Sequence, residues 1–366
     1  MVVKRLFSLL VLILTLSVSA ISVYAQHGPE GHETTTGHGH EATEEKKGFN
    51  ASEVIFGHIR DSHYWHLFDI NGHPVSLSLP VIIYHPEKGL EMFSASKFHH
   101  GHESYNGYYI DHNVKMKEKI ASEDGAAIKD FSITKNVVSM FLSVIILLVL
   151  MINVAKKYKK NGVMKAPSGF QNALEPVITF IRDEVAKPNL GSKYMAYMPL
   201  LLTVFFFIWV NNLLGLLPGG ANFTGNIAVT ACLAAISFIV MMAKSNKHYW
   251  SHLLNPPGVP LGIKFLLVPI EIMSMFIKPM ALCIRLFANM LAGHIVILSV
   301  ISMIFIFAAL NQVAGIVFVP FSLAFSVFMF SLELLVAAIQ AFIFANLTAV
   351  FIGQAIEEPH HGEHAH

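Results

Sequence analysis

The chain has 366 residues, of which 54% are hydrophobic and only 13% are charged. Soluble domains average about 25% charged residues and are less apolar, so this composition predicts a polytopic membrane protein. A net charge of +1 excludes the basic excess that is typical of nucleic-acid-binding proteins.

Phosphate-binding glycine motifs are absent, since the sequence contains neither GxxxxGK[ST] nor GxGxxG. We therefore expect no nucleotide cofactor and no catalysis by this chain, so that any link to nucleotide chemistry runs through partner chains. The cysteines Cys232 and Cys283 both fall inside apolar runs. They predict neither a disulfide framework nor a CxxC metal site.

The N-terminus has the three-part pattern of a secretory signal peptide. Lys4 and Arg5 precede an apolar run from Leu6 to Ala20, and SVYAQ offers a small-x-Ala cleavage site after Ala25. We predict a cleaved signal peptide over residues 1–25, which leaves the mature N-terminus outside the cytoplasm. The alternative is an uncleaved signal anchor, although the apolar run is short for a bilayer span.

Residues 26–48 are polar, rich in histidine and without periodicity, which predicts a disordered linker. Thirteen of the twenty histidines lie between His27 and His112. They keep open a second hypothesis, in which the segment buffers metal and the chain is a secondary transporter of a divalent metal ion. Such a transporter needs His or carboxylate ligands from several spans, whereas the spans before Gly262 offer only Lys135 near one edge. No ligand set at fixed spacing predicts a metal site.

Residues 49–126 predict a small α+β extension outside the membrane. The sequence ASEVIFGHIRDSHYWHLF (51–68) has helical character, and PVSLSLPVIIYH (74–85) alternates apolar and polar residues as a strand does. In YNGYYI, Asn106 and Gly107 stand where a tight hairpin turn belongs.

The remaining residues, 127–366, form the predicted membrane domain, which begins with three ordinary spans at 133–155, 198–217 and 226–243. Lysines follow the first and third spans, and the positive-inside rule places those ends in the cytoplasm. The segment 173–186 has apolar and charged residues on opposite helical faces, which predicts a helix in the membrane interface.

Two apolar runs after the third span are too long for upright helices. Residues 262–310 would form a helix of about 73 Å and residues 313–356 one of about 66 Å, against a hydrocarbon core of roughly 30 Å. Each run is therefore either a hairpin or a long, steeply tilted helix. Five crossings from an outside start place the C-terminus in the cytoplasm.

Ionisable residues inside the first long run share one helical stripe, because they are spaced by seven: Lys264, Glu271, Lys278 and Arg285. No acidic residue lies within helical reach of Arg285, so its counter-charge has to come from elsewhere in the chain or from another subunit. A guanidinium keeps its charge and cannot relay protons, but its field favours the ionised form of a nearby carboxylate. Asn289, four residues on, faces the same side and can hydrogen-bond there.

In the second long run Glu333 is the only ionisable residue, and Gln340 lies within about 20° of it on the helix. His294 lies nine residues beyond Arg285, on the opposite side of the first long helix. A helix hairpin closed near residues 311–312 would bring His294 and Glu333 within about 6 Å of the same depth. The two side chains are therefore predicted to form a proton relay, rather than a histidine buried for packing alone.

Three sequence motifs carry a resemblance to a known family. They are VNNLLGLLP, PIEIMSMFIKPMALCIRLFANMLAGH and LELLVAAIQAFIFANLTAVFI. Between about Lys193 and Glu357 the chain resembles the proton-conducting a subunit of F-type ATP synthases. The resemblance does not cover the signal peptide, the linker or the extension.

Residue by residue, the resemblance implies roles for the polar side chains. Arg285 matches the family's essential arginine, which faces the carboxylate of the rotor c-ring, and Asn289 and Gln340 match its polar neighbours. Glu271 matches an acidic residue toward the cytoplasmic half-channel.

The resemblance also implies an outer half-channel. His294 and Glu333 match its His/Glu pair, which some members carry in exchanged order. Gly215 stands where some relatives have an acidic residue after the second span.

At the level of the fold, the resemblance implies an all-α polytopic membrane protein with three ordinary transmembrane helices and two long, steeply tilted ones. The expected partners are the c-ring, the peripheral-stalk b subunits, the rest of the ATP synthase and membrane lipid. The expected location is the bacterial inner membrane. Because the selective carboxylate belongs to the rotor, both proton and sodium stay open as the coupling ion.

Overall fold

The computed structural model describes residues 59–70, 73–101, 103–111, 118–162, 169–217, 220–256 and 258–356, together with Ile55, Gly57 and Ala166. The predicted signal peptide, the histidine-rich linker and the C-terminal EEPHHGEHAH lie outside these residues. The chain divides into two compact units. The first comprises Met1–Met140, Leu214–Asn222 and Leu291–Glu333, and the second comprises Phe141–Leu213, Phe223–Met290 and Leu334–His366.

The described part of the extension, in the first unit, forms small antiparallel sheets. Their strands are β1 (Tyr64–Ile70), β2 (His73–Ser78), β3 (Pro80–His85), β4 (Gly89–Ser94), β5 (Tyr108–Asp111), β6 (Lys119–Ser122) and β7 (Lys129–Asp130). Strand β1 pairs with β2, β3 lies between β4 and β7, and β5 pairs with β6. The pairing reaches Asp130, beyond the predicted end of the extension at residue 126.

Strand β3 shows why the extension folds as a sheet with one buried face. Val81 and Ile83 are fully buried, whereas Tyr84 between Ile83 and His85 is 44% exposed. This period of two is the pattern of a half-buried strand. The inner face packs with Phe98 and Tyr108 into a small hydrophobic core, so the extension has a core of its own.

Of the predictions for the extension, one is confirmed and two need correction. Asn106 and Gly107 have φ angles of 54° and 80° and form the turn of a hairpin that Tyr105 and Tyr108 close, as predicted for an Asn-Gly pair. The helix expected over 51–68 is wrong in its second half, because β1 occupies Tyr64–Ile70 and its backbone groups pair with β2. The single strand expected over 74–85 is two strands, which meet at Leu79.

A buried carboxylate joins the extension to α1 (Lys135–Asn161), the helix of the first membrane span. The Asp61 side chain, which is only 5% exposed, accepts a hydrogen bond of 2.9 Å from the Thr134 hydroxyl and one of 3.3 Å from the Asn136 backbone N–H. The first turn of a helix has unpaired N–H groups and a positive field. Asp61 therefore stabilises the start of α1.

The rest of the described chain is helical. The helices are α2 (Phe170–Phe180), a π-helical turn (Ile181–Ala186), α3 (Lys187–Leu190), α4 (Tyr194–Gly215), α5 (Ile227–Lys244), α6 (Lys247–Leu254), α7 (Leu261–Leu310) and α8 (Gln312–Ile356). Within the described residues, five segments are long and apolar enough to cross a membrane. The protein is thus an all-α polytopic membrane protein with a small β-rich extension.

Helices α7 and α8 decide between the two alternatives for the long apolar runs. Each is continuous, over 50 and 45 residues respectively, so neither run is a hairpin. Pro269 and Pro279 in α7 and Pro320 in α8 lie within the helices without ending them. At 1.5 Å per residue α7 is about 75 Å long, so it has to tilt steeply if it is to remain within a bilayer.

In the second unit, small residues of α8 form the centre of the core. Ala337, Ala341, Ala345 and Ala349 repeat every four residues and are fully buried. Small side chains on one helical face allow other helices to approach closely. Buried polar groups nearby are paired: the Asn212 amide donates to the Ala337 carbonyl at 3.2 Å.

Candidate functional site

The long helices meet at a one-residue connection. Helix α7 ends at Leu310 and α8 begins at Gln312, and the Asn311 side chain accepts a hydrogen bond of 3.0 Å from the Val313 N–H. The two helices stay close beyond this turn. A Cβ atom on Gly315 would lie only 2.8 Å from the Ala308 Cα atom, so a glycine is needed at that contact.

This connection brings His294 of α7 against Glu333 of α8. The imidazole Nδ1 lies 2.8 Å from the carboxylate Oε1, and the Glu333 side chain is only 4% exposed. The sequence predicted two sites at similar depth on consecutive helices, and the structure places them in direct contact. A carboxylate in such an apolar setting is costly unless it is paired or protonated.

Gly293 makes room for the pair. A Cβ atom at this position would lie 2.6 Å from Glu333 Oε1 and 2.8 Å from its Cδ atom. Any other residue type would therefore displace the carboxylate from the position in which it meets His294. The sequence does not predict this role for Gly293; its one signal is a glycine next to the histidine inside a long apolar helix.

The second imidazole nitrogen is also fixed. His294 Nε2 lies 3.0 Å from the backbone carbonyl oxygen of Gly215, at the end of α4. A carbonyl oxygen can only accept, so Nε2 carries the proton in this contact. Gly215 was noted in the sequence only because some relatives have an acidic residue there, and its contribution in the structure is its carbonyl group.

With Nε2 against a carbonyl oxygen, Nδ1 is the nitrogen that faces Glu333 Oε1 and can exchange a proton with it. With Nε2 protonated, the neutral imidazole presents an acceptor lone pair at Nδ1 to a protonated Glu333. Transfer of that proton gives an imidazolium beside a carboxylate, and the total charge does not change. A short contact between an imidazole nitrogen and a carboxyl oxygen is the arrangement that a proton relay requires.

Arg285 and Asn289 lie on the exposed side of α7 in the second unit. Leu282, Leu286 and Met290 on the opposite side of the same turns are almost fully buried. Within the described residues, no carboxylate lies within ion-pair distance of Arg285. The arginine is therefore presented outward, with its amide neighbour one turn along the helix.

The remaining predicted residues are placed separately. Gln340 on α8 is 6% exposed, and Glu271 on α7 is partly exposed. Burial raises the pKa of the Tyr249 phenol on α6, and the negative charge of Glu271 raises it further, which places Glu271 near this tyrosine. In the described part of the chain, Arg285 and Gln340 share no hydrogen bond.

Two other members of the charged stripe on α7 have local partners. Lys264 donates to the Asn255 side-chain oxygen at 2.5 Å, and the Lys278 ammonium group lies 5.9 Å from the centre of the Phe351 ring. The first is an end-of-helix contact and the second a cation–π contact. Neither contact supplies a counter-charge for Arg285.

Fold and site together define a polytopic membrane protein whose two longest helices carry ionisable side chains away from water. Residues 137–353 match the family model described as ATP synthase A chain. The chain belongs to the ATP synthase A chain family, and it is a subunit of the ATP synthase membrane sector. Residues 54–140 match a second family model, which is described as a domain of unknown function.

Curated relatives agree with this assignment. The chain is 44% identical over 242 residues to ATP synthase subunit a of Chloroherpeton thalassium, an alignment that covers 65% of this chain and 70% of the relative. It is 47% identical over 243 residues to ATP synthase subunit a 2 of Prosthecochloris aestuarii, covering 65% and 73%. It is also 40% identical over 244 residues to ATP synthase subunit a of Myxococcus xanthus, covering 65% and 77%.

Proposed function

We propose that this chain is the stator proton channel of an F-type ATP synthase, with two offset half-channels that load and unload the carboxylates of a rotor c-ring. The contact between His294 and Glu333 is the observation that carries the proposal. It supplies a proton donor and acceptor 2.8 Å apart within two long and largely apolar helices. Intramembrane ionisable residues of this kind mark ion pathways.

Uptake begins at the His294–Glu333 pair. A proton that arrives from the outer side is taken up by one member of the pair and passed across the short Nδ1–Oε1 contact. The Gly215 carbonyl holds the ring in one orientation, so that the same nitrogen faces Glu333 throughout. The pair then delivers the proton to a rotor carboxylate, which must be neutral before it can turn through lipid.

Release takes place at Arg285. Its charge is permanent, and it lies on the exposed side of α7, where the carboxylate of another chain can approach it. A rotor carboxylate that reaches Arg285 is favoured in its ionised form and gives up its proton toward the Glu271 region. The fixed positive charge also prevents protons from leaking directly between the half-channels.

Asn289 and Gln340 assist at the same step. Asn289 lies one helical turn from Arg285 on the exposed side of α7, so its amide can hydrogen-bond the arriving carboxylate. Gln340 is held among the buried alanines of α8. In this scheme it supplies a neutral polar group, which lowers the cost of moving charge without adding a competing proton site.

This chain performs no phosphate chemistry itself. A proton crossing a potential of 100 mV releases about 2.3 kcal/mol, and the rotor carries that energy to the catalytic subunits. The scheme requires the c-ring, peripheral-stalk b subunits and the rest of the synthase as partners. It also places the N-terminus outside the cytoplasm and the C-terminus inside.

Substitution of Arg285 is the direct test. We expect Arg285→Ala to assemble normally but to abolish ATP-driven proton pumping, because the rotor carboxylate would no longer be forced to ionise at the stator. Arg285→Lys should also lose most activity, since an ammonium lacks the planar fork and can lose its charge when buried. Quenching of a pH-sensitive dye in inverted membrane vesicles measures the pumping.

A matched control lies seven residues earlier on the same helix. Lys278→Ala removes a positive charge that faces the Phe351 ring and should leave pumping close to the wild-type rate. Subunit content and ATP hydrolysis are measured on the same vesicles. Near-normal pumping by either Arg285 variant would reject the proposed role, and equal losses in the Lys278 variant would indicate a general effect of charge.

A further inference from the structure

A cavity of about 340 Å³ opens between the end of α1 and the beginning of α2. It belongs wholly to the second unit and is separate from the proton-transfer residues. Three lysines of the last turns of α1 line it: Lys156, Lys157 and Lys160. The cavity is thus strongly basic, and it lies at the polar end of the first membrane span.

The charges of these lysines are not neutralised within the described part of the chain, where no carboxylate forms an ion pair with any of the three. All three side chains are exposed. Like charges gathered in this way repel one another, and an anion between them would relieve the repulsion. The spacing on α1 places Lys156 and Lys160 on one helical face.

The start of α2 adds a second attraction for an anion. Gly169 precedes the helix with a φ of 65°, no side chain caps the first turn, and that turn carries no acidic residue. The unpaired N–H groups and the positive end of an eleven-residue helix therefore remain available at the cavity.

A third observation is an amide at the cavity wall. Gln171 lines the cavity and is only 3% exposed, and among the described residues nothing hydrogen-bonds to its side chain. A ligand oxygen in the cavity can accept a hydrogen bond from this amide.

The rest of the wall is apolar. Leu150 and Val154 of α1 and Phe170 of α2 line the same cavity, and Phe170 is 70% exposed. A free phosphate ion would gain nothing from these side chains. A phospholipid would, because its glycerol and first acyl carbons can lie against them while its phosphate meets the lysines.

From this geometry we infer that the cavity between α1 and α2 binds the phosphate headgroup of an anionic phospholipid. The lysines and the α2 N-terminus hold the phosphate, the Gln171 amide donates to a headgroup oxygen, and the apolar wall holds the beginning of an acyl chain. Nothing in the proton-transfer scheme depends on this site.

The test uses the full chain, released from the detergent-purified complex and analysed by native mass spectrometry with added phosphatidylglycerol, phosphatidylcholine or inorganic phosphate. We expect one saturable phosphatidylglycerol and no comparable binding of the other two. The triple variant Lys156→Gln, Lys157→Gln, Lys160→Gln should bind phosphatidylglycerol on the order of 100-fold more weakly, from roughly 1 kcal/mol per lysine. Gln171→Leu should weaken binding severalfold.

The matched control removes the same number of charges outside the cavity: Lys159→Gln, Lys244→Gln, Lys247→Gln. It should bind phosphatidylglycerol within about twofold of wild type, since short-range contacts rather than net charge hold the lipid. A triple Lys→Arg variant at the cavity positions should also retain binding, which covers the case in which the Gln variant fails to fold.

Several results would overturn the inference. One is an equal loss in the matched control, which would indicate diffuse attraction by the basic surface. Another is inorganic phosphate binding as tightly as phosphatidylglycerol, which would indicate a free-anion site. A third is saturable binding to the released chain but none to the intact complex, which would mean that a partner subunit occupies the cavity.

Discussion

His63 in the extension and His294 in α7 each contact carboxylates, but their surroundings differ in kind. His63 is completely buried, with Nδ1 3.5 Å from Glu118 and Nε2 4.0 Å from Asp130. His294 has one short contact with Glu333 and one with a backbone carbonyl. A buried histidine near a carboxylate is therefore not in itself a proton path.

The neighbours of each histidine decide its role. Around His63 the acidic groups are also bound to backbone, as in the hydrogen bond of 3.0 Å from the His63 N–H to the Glu118 carboxylate. Those contacts hold together the backbone next to β1, β6 and β7. Around His294 one ring nitrogen lies against a backbone carbonyl and the other lies 2.8 Å from the Glu333 carboxylate. We interpret the arrangement around His63 as structural, and the proposed function assigns proton transfer to the arrangement around His294.

Of the two histidine sites, the pair of His294 and Glu333 should show the larger effect on proton pumping. Glu333→Ala and His294→Ala should each slow proton pumping at least about tenfold, because positioned proton-transfer groups contribute about 10²–10⁴. The exchange of His294→Glu with Glu333→His should recover more activity than either single change. Recovery should be partial, since a carboxylate at 294 has no N–H for the Gly215 carbonyl. The test compares the pumping rates of the wild type, the two single variants and the exchange variant. Independent losses without recovery would show that the two residues do not act together.

A sharper test of the same site changes no ionisable group. Gly293→Ala would place a Cβ atom 2.6 Å from Glu333 Oε1, so we expect the carboxylate to swing away and pumping to fall severalfold. Stability should change by less than about 1 kcal/mol, because only the flexible end of a side chain has to move and alanine favours helix. Pumping and thermal unfolding are compared in one preparation.

The control for this change is Gly262→Ala on the same helix, where the added Cβ atom meets nothing within 4 Å. It should leave pumping unchanged. Normal pumping in Gly293→Ala would show that the close approach of α7 to Glu333 is not needed for transfer.

On the structural side of the comparison, Asp61→Ala should destabilise the junction between the extension and α1. Loss of its hydrogen bonds to Thr134 and Asn136 should cost about 1–2 kcal/mol, as for other helix caps. Pumping per assembled complex should stay normal. Asp124→Ala, which removes an exposed ion pair with Lys88, is the control and should cost less than about 0.5 kcal/mol. A loss of pumping with unchanged stability in Asp61→Ala would show that Asp61 acts in proton transfer and not in stabilising the fold.

The smallest effect is expected from deletion of His27–His40. This tract ends 95 residues before Lys135, where α1 begins, and its composition is that of a solvated linker. Proton pumping at matched expression should not change. A clear loss would place these histidines on the outer entry path and revive the role of the histidine-rich segment in ion binding.

The sequence by itself determined the class of protein and predicted most of the candidate site. Long apolar runs specify membrane helices because hydrocarbon cannot form hydrogen bonds with backbone N–H and C=O groups, which a helix pairs internally. A lone Arg, Glu or His inside such a run is conspicuous because hydrocarbon cannot solvate its polar side chain either. Motif resemblance then assigned Arg285, His294 and Glu333. Asn106 and Gly107 were also predictable, because a tight turn with positive φ selects these residue types.

Tertiary structure decided what depends on distant neighbours. Strand β1 replaced a predicted helix because β2 lies beside it, and continuity of α7 and α8 settled an ambiguity that length alone left open. Gly293 belongs to the site because it leaves space for Glu333, and Gly215 because its carbonyl group contacts His294. Neither feature can be recognised from the periodicity or the charge pattern of the sequence. Asp61 found its role in the same way, 75 residues from the backbone N–H of Asn136 that it stabilises.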